Sequence, residues 1–325
     1  MPDFKTAESV SPKHPDKICD QISDALLDAH LAEDPHARVA IDVAGGHGKV
    51  FVTGEVTSHA KNVDVESIVA RLAGDVQLVE QIAKQSPEIA HGVDTGGAGD
   101  QGIMVGYATN QTAELLPLEV VLSRKLNQHL YGIWPFDGKT QVTTVDGKVQ
   151  AIVASFQNAP HDELKQAVSD WLSSQDAEKT QASEVIYHIN PAGDWHIGGF
   201  EADAGLTGRK LAVDNYGPAV PVGGGAFSGK DPSKVDRSAA YMARKVAVDY
   251  LRKFKAAEVY VTLAYAIGYD QPLQASAVVD GREMPVTEYD LSPNGIIRTL
   301  DLKRPIYEQT AQYGHFGHAG FSWEA

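Results

Sequence analysis

One pattern recurs three times along this chain, and any fold must accommodate all three copies. A helical segment is followed by strand-like segments with a tight turn, and then by a second helical segment. In the first copy Ile18, Ile22, Ala25, Leu26 and Ala29 repeat at helical spacing from about Pro15. Val39 to Val43 and Val50 to Val56 then read as strands around Gly45-Gly46-His47-Gly48, and Val63 to Leu72 begins a second helix. The second copy has a helix near Leu118 to Leu130, strands Gln141 to Val145 and Val149 to Ala154 around Asp146-Gly147, and a helix near His161 to Leu172. The third has a helix from Pro232 to Phe254, strands near Val259 to Ile267 and Gln274 to Val279, a turn at Asp280-Gly281, and a helix near Pro293 to Leu300. Polar Ser173 to Glu184 reads as a loop.

A two-stranded hairpin needs more strands before it can bury a face. The expected fold is therefore α/β of the α+β type, with three interlocked, pseudo-repeated domains of about 100 residues each. Each domain is expected to be a mixed or antiparallel sheet with helices on one face. Approximate limits are 1–90, 91–195 and 196–325, with strands free to exchange between domains. The length of 325 residues and a hydrophobic content of 43% are sufficient for more than one packed core.

A net charge of -15 argues against general binding to nucleic acid or to an acidic membrane surface. Residues 209–245 nevertheless hold seven Lys or Arg against three Asp, the balance of a local site for a small polyanion. With Cys19 as the single cysteine, no internal disulfide can form, and its place on an apolar helical face makes it a core residue. The N-terminus is polar, and no apolar run approaches the roughly 20 residues of a membrane span, so the cytoplasm is the expected compartment. Asp16, Asp20, Asp24 and Asp28 form a second stripe on the first helix. Like charges at this spacing repel, so most of the stripe is expected to be solvated. Asp16 differs, because it lies in the first turn between His14 and Lys17, where imidazole, carboxylate and ammonium can meet a metal-bound phosphate.

Between Gly223 and Tyr241, Gly223, Gly224, Gly225 and Gly229 let backbone approach a ligand closely. Asp231 and Pro232 read as a helix N-cap and first helical residue. Lys230 and Lys234 then stand at a helix start, where the dipole disfavours cations unless an anion lies between. Gly224-x4-Gly229-Lys230 approaches the phosphate-loop pattern, but Asp231 stands where that loop needs a hydroxyl for magnesium, which excludes a P-loop NTPase. Gly205-Leu206-Thr207-Gly208-Arg209-Lys210 adds a second glycine-spaced basic pair.

The segment from Gly205 to Tyr241 resembles the S-adenosylmethionine synthetase (methionine adenosyltransferase) family, and the resemblance extends over nearly the whole chain. It is carried also by Glu8 to Asp24, Lys84 to Glu88, Gly97 to Asn110, Lys139 to Thr143 and Tyr313 to Gly317. It implies attack of methionine sulfur on C5′ of ATP, release of triphosphate, and hydrolysis to pyrophosphate and phosphate. A catalytically silent nucleotide-binding regulator of the same fold is the alternative, and it would have lost cationic or metal-binding positions.

By resemblance, His14, Lys139, Arg209, Lys210 and Lys230 are catalytic, and Asp137, Trp195, Asp203 and Ala226 join them in binding ATP. Methionine falls to Glu55, Gln85, Asp203 and Lys234, and Asp100 belongs to a gating loop at the start of the central domain. Asp16 and Asp236 match magnesium ligands. Asp42 replaces a potassium-binding glutamate and is one methylene shorter, which weakens the expected potassium dependence. Trp195 stands where the family stacks a phenylalanine on adenine, and Asp194 where it places a polar or basic residue. The loop His91 to Gly99 is shorter than the family's gate, and the helix before Lys84 lacks a stretch, which implies altered turnover or broader acceptance of methionine analogues. An ideal helix separates Lys234 from Asp236 by roughly 200°, so either the first turn is irregular or the two serve facing sites across a dimer. A homodimer or dimer of dimers is implied.

Overall fold

The computed structural model describes residues 2–84, 96–175 and 181–325. In chain order the elements are β1 (Phe4–Val10), α1 (Pro15–Glu33), β2 (Arg38–Gly46), β3 (Lys49–Thr57), α2 (Val65–Ala73), β4 (Gln77–Ala83), β5 (Gly102–Thr109), α3 (Leu118–Ile133), β6 (Gly138–Val145) and β7 (Lys148–Phe156). There follow α4 (His161–Ser174), β8 (Gln181–Ile189), β9 (Gly205–Leu206), α5 (Leu211–Asp214), α6 (Val235–Phe254), β10 (Glu258–Tyr265), β11 (Gln274–Val279), β12 (Arg282–Pro285) and α7 (Pro293–Leu300).

The turns form where their chemistry asks for them. His47-Gly48, Asp146-Gly147 and Asp280-Gly281 all have positive φ at both residues, the turn geometry whose twist matches flanking strands. The first two close β2 onto β3 and β6 onto β7. The third joins β11 to β12, a strand absent from the sequence reading, so the third copy extends its sheet differently.

Among the described residues the strands build three four-stranded sheets, ordered β4-β3-β2-β9, β1-β6-β7-β8 and β12-β11-β10-β5. The first two are mixed, since β3 runs parallel to β4 and β7 parallel to β8, and the third is antiparallel. In each, the strand following a long helix accepts a partner from a distant stretch of chain. Phe4 to Val10 pair with Val145 to Lys139, Gly205 and Leu206 pair with Gly45 and Ala44, and Gly102 to Thr109 pair with Tyr265 to Glu258. The exchange is cyclic, so no sheet is completed without sequence-distant residues.

β5, a strand absent from the sequence reading, starts at Gly102. At Gly106 a Cβ would stand 2.0 Å from the Ala243 carbonyl oxygen, so α6 rests on β5 at a distance that only glycine permits. The expected loop at Ser173 to Glu184 is shorter, because α4 runs to Ser174 and β8 starts at Gln181. Before Lys84 stands strand β4, with helix α2 further back. One large core joins α1, α6 and the first and third sheets, and Cys19 lies within it, fully buried. A separate cluster of Leu122, Leu126, Val142, Ile152, Leu164 and Trp171 packs α3 and α4 on the second sheet.

The aspartate stripe of α1 contradicts the expectation of a solvated face. Asp16, Asp20 and Asp24 are 2%, 1% and 0% exposed. Each accepts a backbone N–H from beyond residue 200, from Leu206 at 2.9 Å, Gly208 at 2.8 Å and Gly229 at 2.9 Å respectively. Asp28, half-buried, accepts from Tyr307 and Glu308. Cations offset the mutual repulsion. Lys17, buried within the same helix, bridges Asp20 at 3.0 Å and Asp214 at 2.7 Å, and Arg237 forks onto both oxygens of Asp24.

Candidate active site

His14 caps α1, with Pro15 at the first helical position, and its Nδ1 accepts from the Asp16 N–H at 3.1 Å. The neutral ring therefore carries its proton on Nε2 as a donor. Burial, with Lys210 and Lys139 beside it, depresses the imidazole to about 3, so the ring is neutral near neutral pH.

Asp16 Oδ2 lies 2.5 Å from Lys210 Nζ, and Oδ1 lies 3.6 Å from Arg209 Nε. Burial alone would raise this carboxyl, but hydrogen bonds from Lys210 and the Leu206 N–H outweigh it and hold it below the usual range. Position is fixed by backbone. A Cβ on Gly205 would lie 2.2 Å from the Pro15 carbonyl oxygen, so β9 crosses α1 at a distance that brings Arg209 and Lys210 onto its first turn.

Asp137 and Lys139 flank the first residue of β6, and Lys139 pairs in register with Val10 at the end of β1, four residues before His14. Asp137 is buried and accepts from the Gly199 N–H at 3.0 Å; burial raises its carboxyl. Trp195 is half-buried beside Gly198, where a Cβ would meet its ring at 2.8 Å. Asp203 is exposed and within electrostatic reach of His14 and Asp137. Ala226 packs on Gly208, whose Cβ would stand 2.4 Å from the Ala226 Cβ. Asp194 faces elsewhere, accepting from Asn190 at 2.9 Å and from the His161 N–H that opens α4.

A second cluster lies at the start of α6. Lys230 Nζ meets Asp236 Oδ2 at 2.6 Å, and the Gly225 N–H donates to Asp236 Oδ1 at 3.2 Å. Gly102, at the start of β5, approaches the same carboxylate, and exposed Asp100 lies two residues before it. The sequence reading of a helix starting at Pro232 is corrected. Asp231 accepts from Ser233 N–H at 2.9 Å and Val39 N–H at 2.8 Å and pairs with Lys234, a turn that delays the helix to Val235. Lys234 caps that helix from outside, so the ideal-helix angle between Lys234 and Asp236 does not apply.

The two clusters are separate. Among the described residues no hydrogen bond or ion pair joins His14, Asp16, Arg209 or Lys210 to Lys230, Lys234 or Asp236. Arg237 binds the Lys230 carbonyl and Asp24, so the second cluster meets α1 at Asp24, about 12 Å along the axis from Asp16. Glu55 and Asp42 are exposed on one face of the first sheet, where Ala40 pairs with Glu55 on one side and bridges to Lys230 on the other. Gln85 and most of His91 to Gly99 lie outside the described residues. Asp214 and Arg237, which support the clusters, were missed. Lys17, expected to offer its ammonium to a metal-bound phosphate beside His14 and Asp16, is instead buried and held between Asp20 and Asp214.

Sequence models of S-adenosylmethionine synthetase match in chain order, the N-terminal domain over residues 3–92, the central domain over 95–195 and the C-terminal domain over 197–325. The S-adenosylmethionine synthase of a Nitratiruptor species is 43% identical over 364 aligned residues, covering 98% of this chain and 94% of its own. That of Thermus thermophilus is 41% identical over 375, covering 98% and 95%. S-adenosylmethionine synthase 1 of Frankia casuarinae is 44% identical over 382, covering 98% and 95%. These alignments are longer than the 325 residues of this chain, so the relatives carry stretches that it lacks. With all three domain models in order and such identity over nearly its full length, this chain belongs to the S-adenosylmethionine synthetase family.

Proposed function

We propose that this protein makes S-adenosylmethionine from L-methionine and ATP. The observation that carries the reading is the cluster at the start of α1, where the neutral His14 Nε2–H, Arg209 and Lys210 converge around Asp16, with Lys139 near. A thioether has no proton to lose, so the first step needs no general base. The sulfur forms a bond to C5′ as the C5′–O bond breaks, and its electron pair leaves with the triphosphate. Charge grows on that leaving group, and fixed cations act where it grows. His14 Nε2–H is suited to donate to the departing oxygen, and Lys139, Arg209 and Lys210 to hold the phosphates. Asp137 and Trp195 are assigned to the nucleoside, with Ala226 beside it. Water then cleaves the triphosphate to pyrophosphate and phosphate.

Asp16 and Asp236 fit magnesium. Each carboxylate already holds a lysine ammonium, and no group of three or more His, Cys, Asp or Glu among the described residues could bind a metal alone. That suits an ion coordinated by one or two carboxylates and by substrate phosphates. When bound, magnesium would supply further positive charge to the phosphate oxygens. Methionine is assigned to Glu55, Asp203 and Lys234, with Gln85 as a further candidate.

The separation of the clusters supports a homodimer in which Lys230, Lys234, Asp236 and Asp100 complete the partner's site. The outward face of the first sheet supports it too, since Phe51, Val79 and Leu206 are 47%, 39% and 41% exposed there. No helix among the described residues is long and apolar enough to cross a membrane, and the cytoplasm is the proposed compartment.

The test is incubation with ATP, methionine and magnesium, in potassium or in sodium, with products identified by mass spectrometry. S-adenosylmethionine, pyrophosphate and phosphate are expected, with little loss of yield in sodium. Return of intact ATP from both salts would overturn the reading.

A further inference from the structure

Lys17 has no assigned part in the proposed reaction, yet its ammonium is enclosed between two carboxylates, Asp20 at 3.0 Å and Asp214 at 2.7 Å. Both acids are buried as well, so two carboxylates share one cation. Enclosing such groups carries a desolvation cost that packed apolar side chains of similar volume avoid. Stability alone is therefore a weak reason for the trio, and a specified position is a better one.

What the trio specifies is the segment carrying Arg209 and Lys210. On its near side, Asp20 Oδ1 accepts the Gly208 N–H at 2.8 Å, and Gly208 has a φ of +79° with Ala226 packed where its Cβ would stand. On its far side, the Asp214 N–H donates to the Lys210 carbonyl at 2.8 Å, which closes the single turn of α5 directly behind the pair. Asp214 is also held from behind, since its carbonyl accepts from Arg124 at 3.2 Å and from the His315 N–H at 3.0 Å. One buried ammonium thus ties both flanks of Arg209-Lys210 to the first turn of α1, where those two side chains converge on Asp16.

We propose that Lys17 is a positioning residue, which through Asp20 and Asp214 aims Arg209 and Lys210 at the triphosphate. The proposal rests on the phosphate-binding reading of that pair. Lys17→Met should lower kcat on the order of 10²-fold, the scale of a misplacement of about 1 Å at the reacting groups. The KM for methionine should stay within about twofold, because Glu55 and Lys234 lie outside this segment. Calorimetric titration with magnesium tripolyphosphate, without methionine, supplies a reading separate from turnover. Mis-aimed cations weaken its affinity by about tenfold at an unchanged number of sites, whereas a merely structural defect leaves fewer sites of unchanged affinity. If Lys17→Met does not fold, Asp214→Asn gives the second reading, since it keeps the shape and leaves Lys17 paired with Asp20. It should lower kcat and tripolyphosphate affinity in the same direction, by about threefold to tenfold. Where both fold, the double variant should fall no further than Lys17→Met alone by more than about twofold, because both act through one tie. Wild-type kcat and affinity in the folded variants, or fewer sites of unchanged affinity, would overturn the proposal. A wild-type protein that takes up no tripolyphosphate would overturn the phosphate reading itself, and this proposal with it.

Discussion

Asp16 and Asp24 lie eight residues apart on one face of one helix, and each accepts a backbone N–H from a glycine-containing segment and faces a cation. The cations differ. Arg237 is 0% exposed and grips both oxygens of Asp24, whereas the Lys210 side chain is 14% exposed and that of Arg209 54%. A fully enclosed pair has no valence left for a ligand and serves to lock α1 to α6. The half-open pair holds a carboxylate in place while keeping its cations within reach of solvent, as the proposed phosphate contacts require. Burial of the cation, more than the identity of the acid, separates lock from site.

Removing one member of the lock should have the largest effect. Arg237→Met leaves Asp24 as an uncompensated buried charge, and urea unfolding should show a loss of about 3–5 kcal/mol. Asp24→Leu added to it should recover much of that, because the unpaired charge is then gone. Tolerance of Arg237→Met alone would break the comparison.

At the other end of the helix, Lys210→Met should lower kcat by about 10²–10³. Its stability loss should stay below about 2 kcal/mol, because the Leu206 N–H and Arg209 remain on Asp16. Urea midpoints measured beside steady-state rates separate the two effects. A stability loss as large as that of Arg237→Met would make the Asp16 pair a second lock.

The smallest expected effect is that of pH on Asp28, one turn beyond the lock. Burial raises this carboxyl to about 6, with Asp24 adding to the shift and the Tyr307 and Glu308 N–H groups opposing it. Its unfolded value is about 3.9, so between about pH 4 and 6 the folded state keeps a proton that the unfolded chain releases. Its contribution is therefore present below pH 4 and lost as pH rises through 6. Relative to Asp28→Asn, the wild-type protein should lose on the order of 1 kcal/mol across that window, since solvent at this half-buried group screens much of the roughly 3 kcal/mol that the full shift would carry. Unfolding curves of both proteins at pH 4, 5, 6 and 7 would show it, and a gap that widens in the opposite direction would contradict the assignment.

Helices with a clear apolar period, and the turns at His47-Gly48 and Asp146-Gly147, were legible because local spacing and φ preference encode them. Strands β1, β4, β5, β8 and β12 were not; β5 is diluted by Gly102 and Gly106, and β12, though it follows the Asp280-Gly281 turn, is four residues long. The start of α6 was misplaced too. Asp231 is an ordinary cap residue in sequence, but its carboxylate is claimed by Val39, which lies 192 residues earlier. In the candidate site, the glycine-spaced basic pairs were visible as motifs, and the tie of each lysine to its own aspartate was not.

By itself, the sequence determined that Asp16, Asp20, Asp24 and Asp28 share a helix face, because a period of 3.6 residues is set by the backbone. Tertiary structure alone decided that this face is buried, since its partners at Leu206, Gly208, Gly229 and Tyr307 arrive from the far end of the chain. Charge repulsion along a helix is a local property, and the donors that reverse its consequence are long-range ones. Which aspartate became a lock and which stayed open followed from whether the cation opposite it was enclosed.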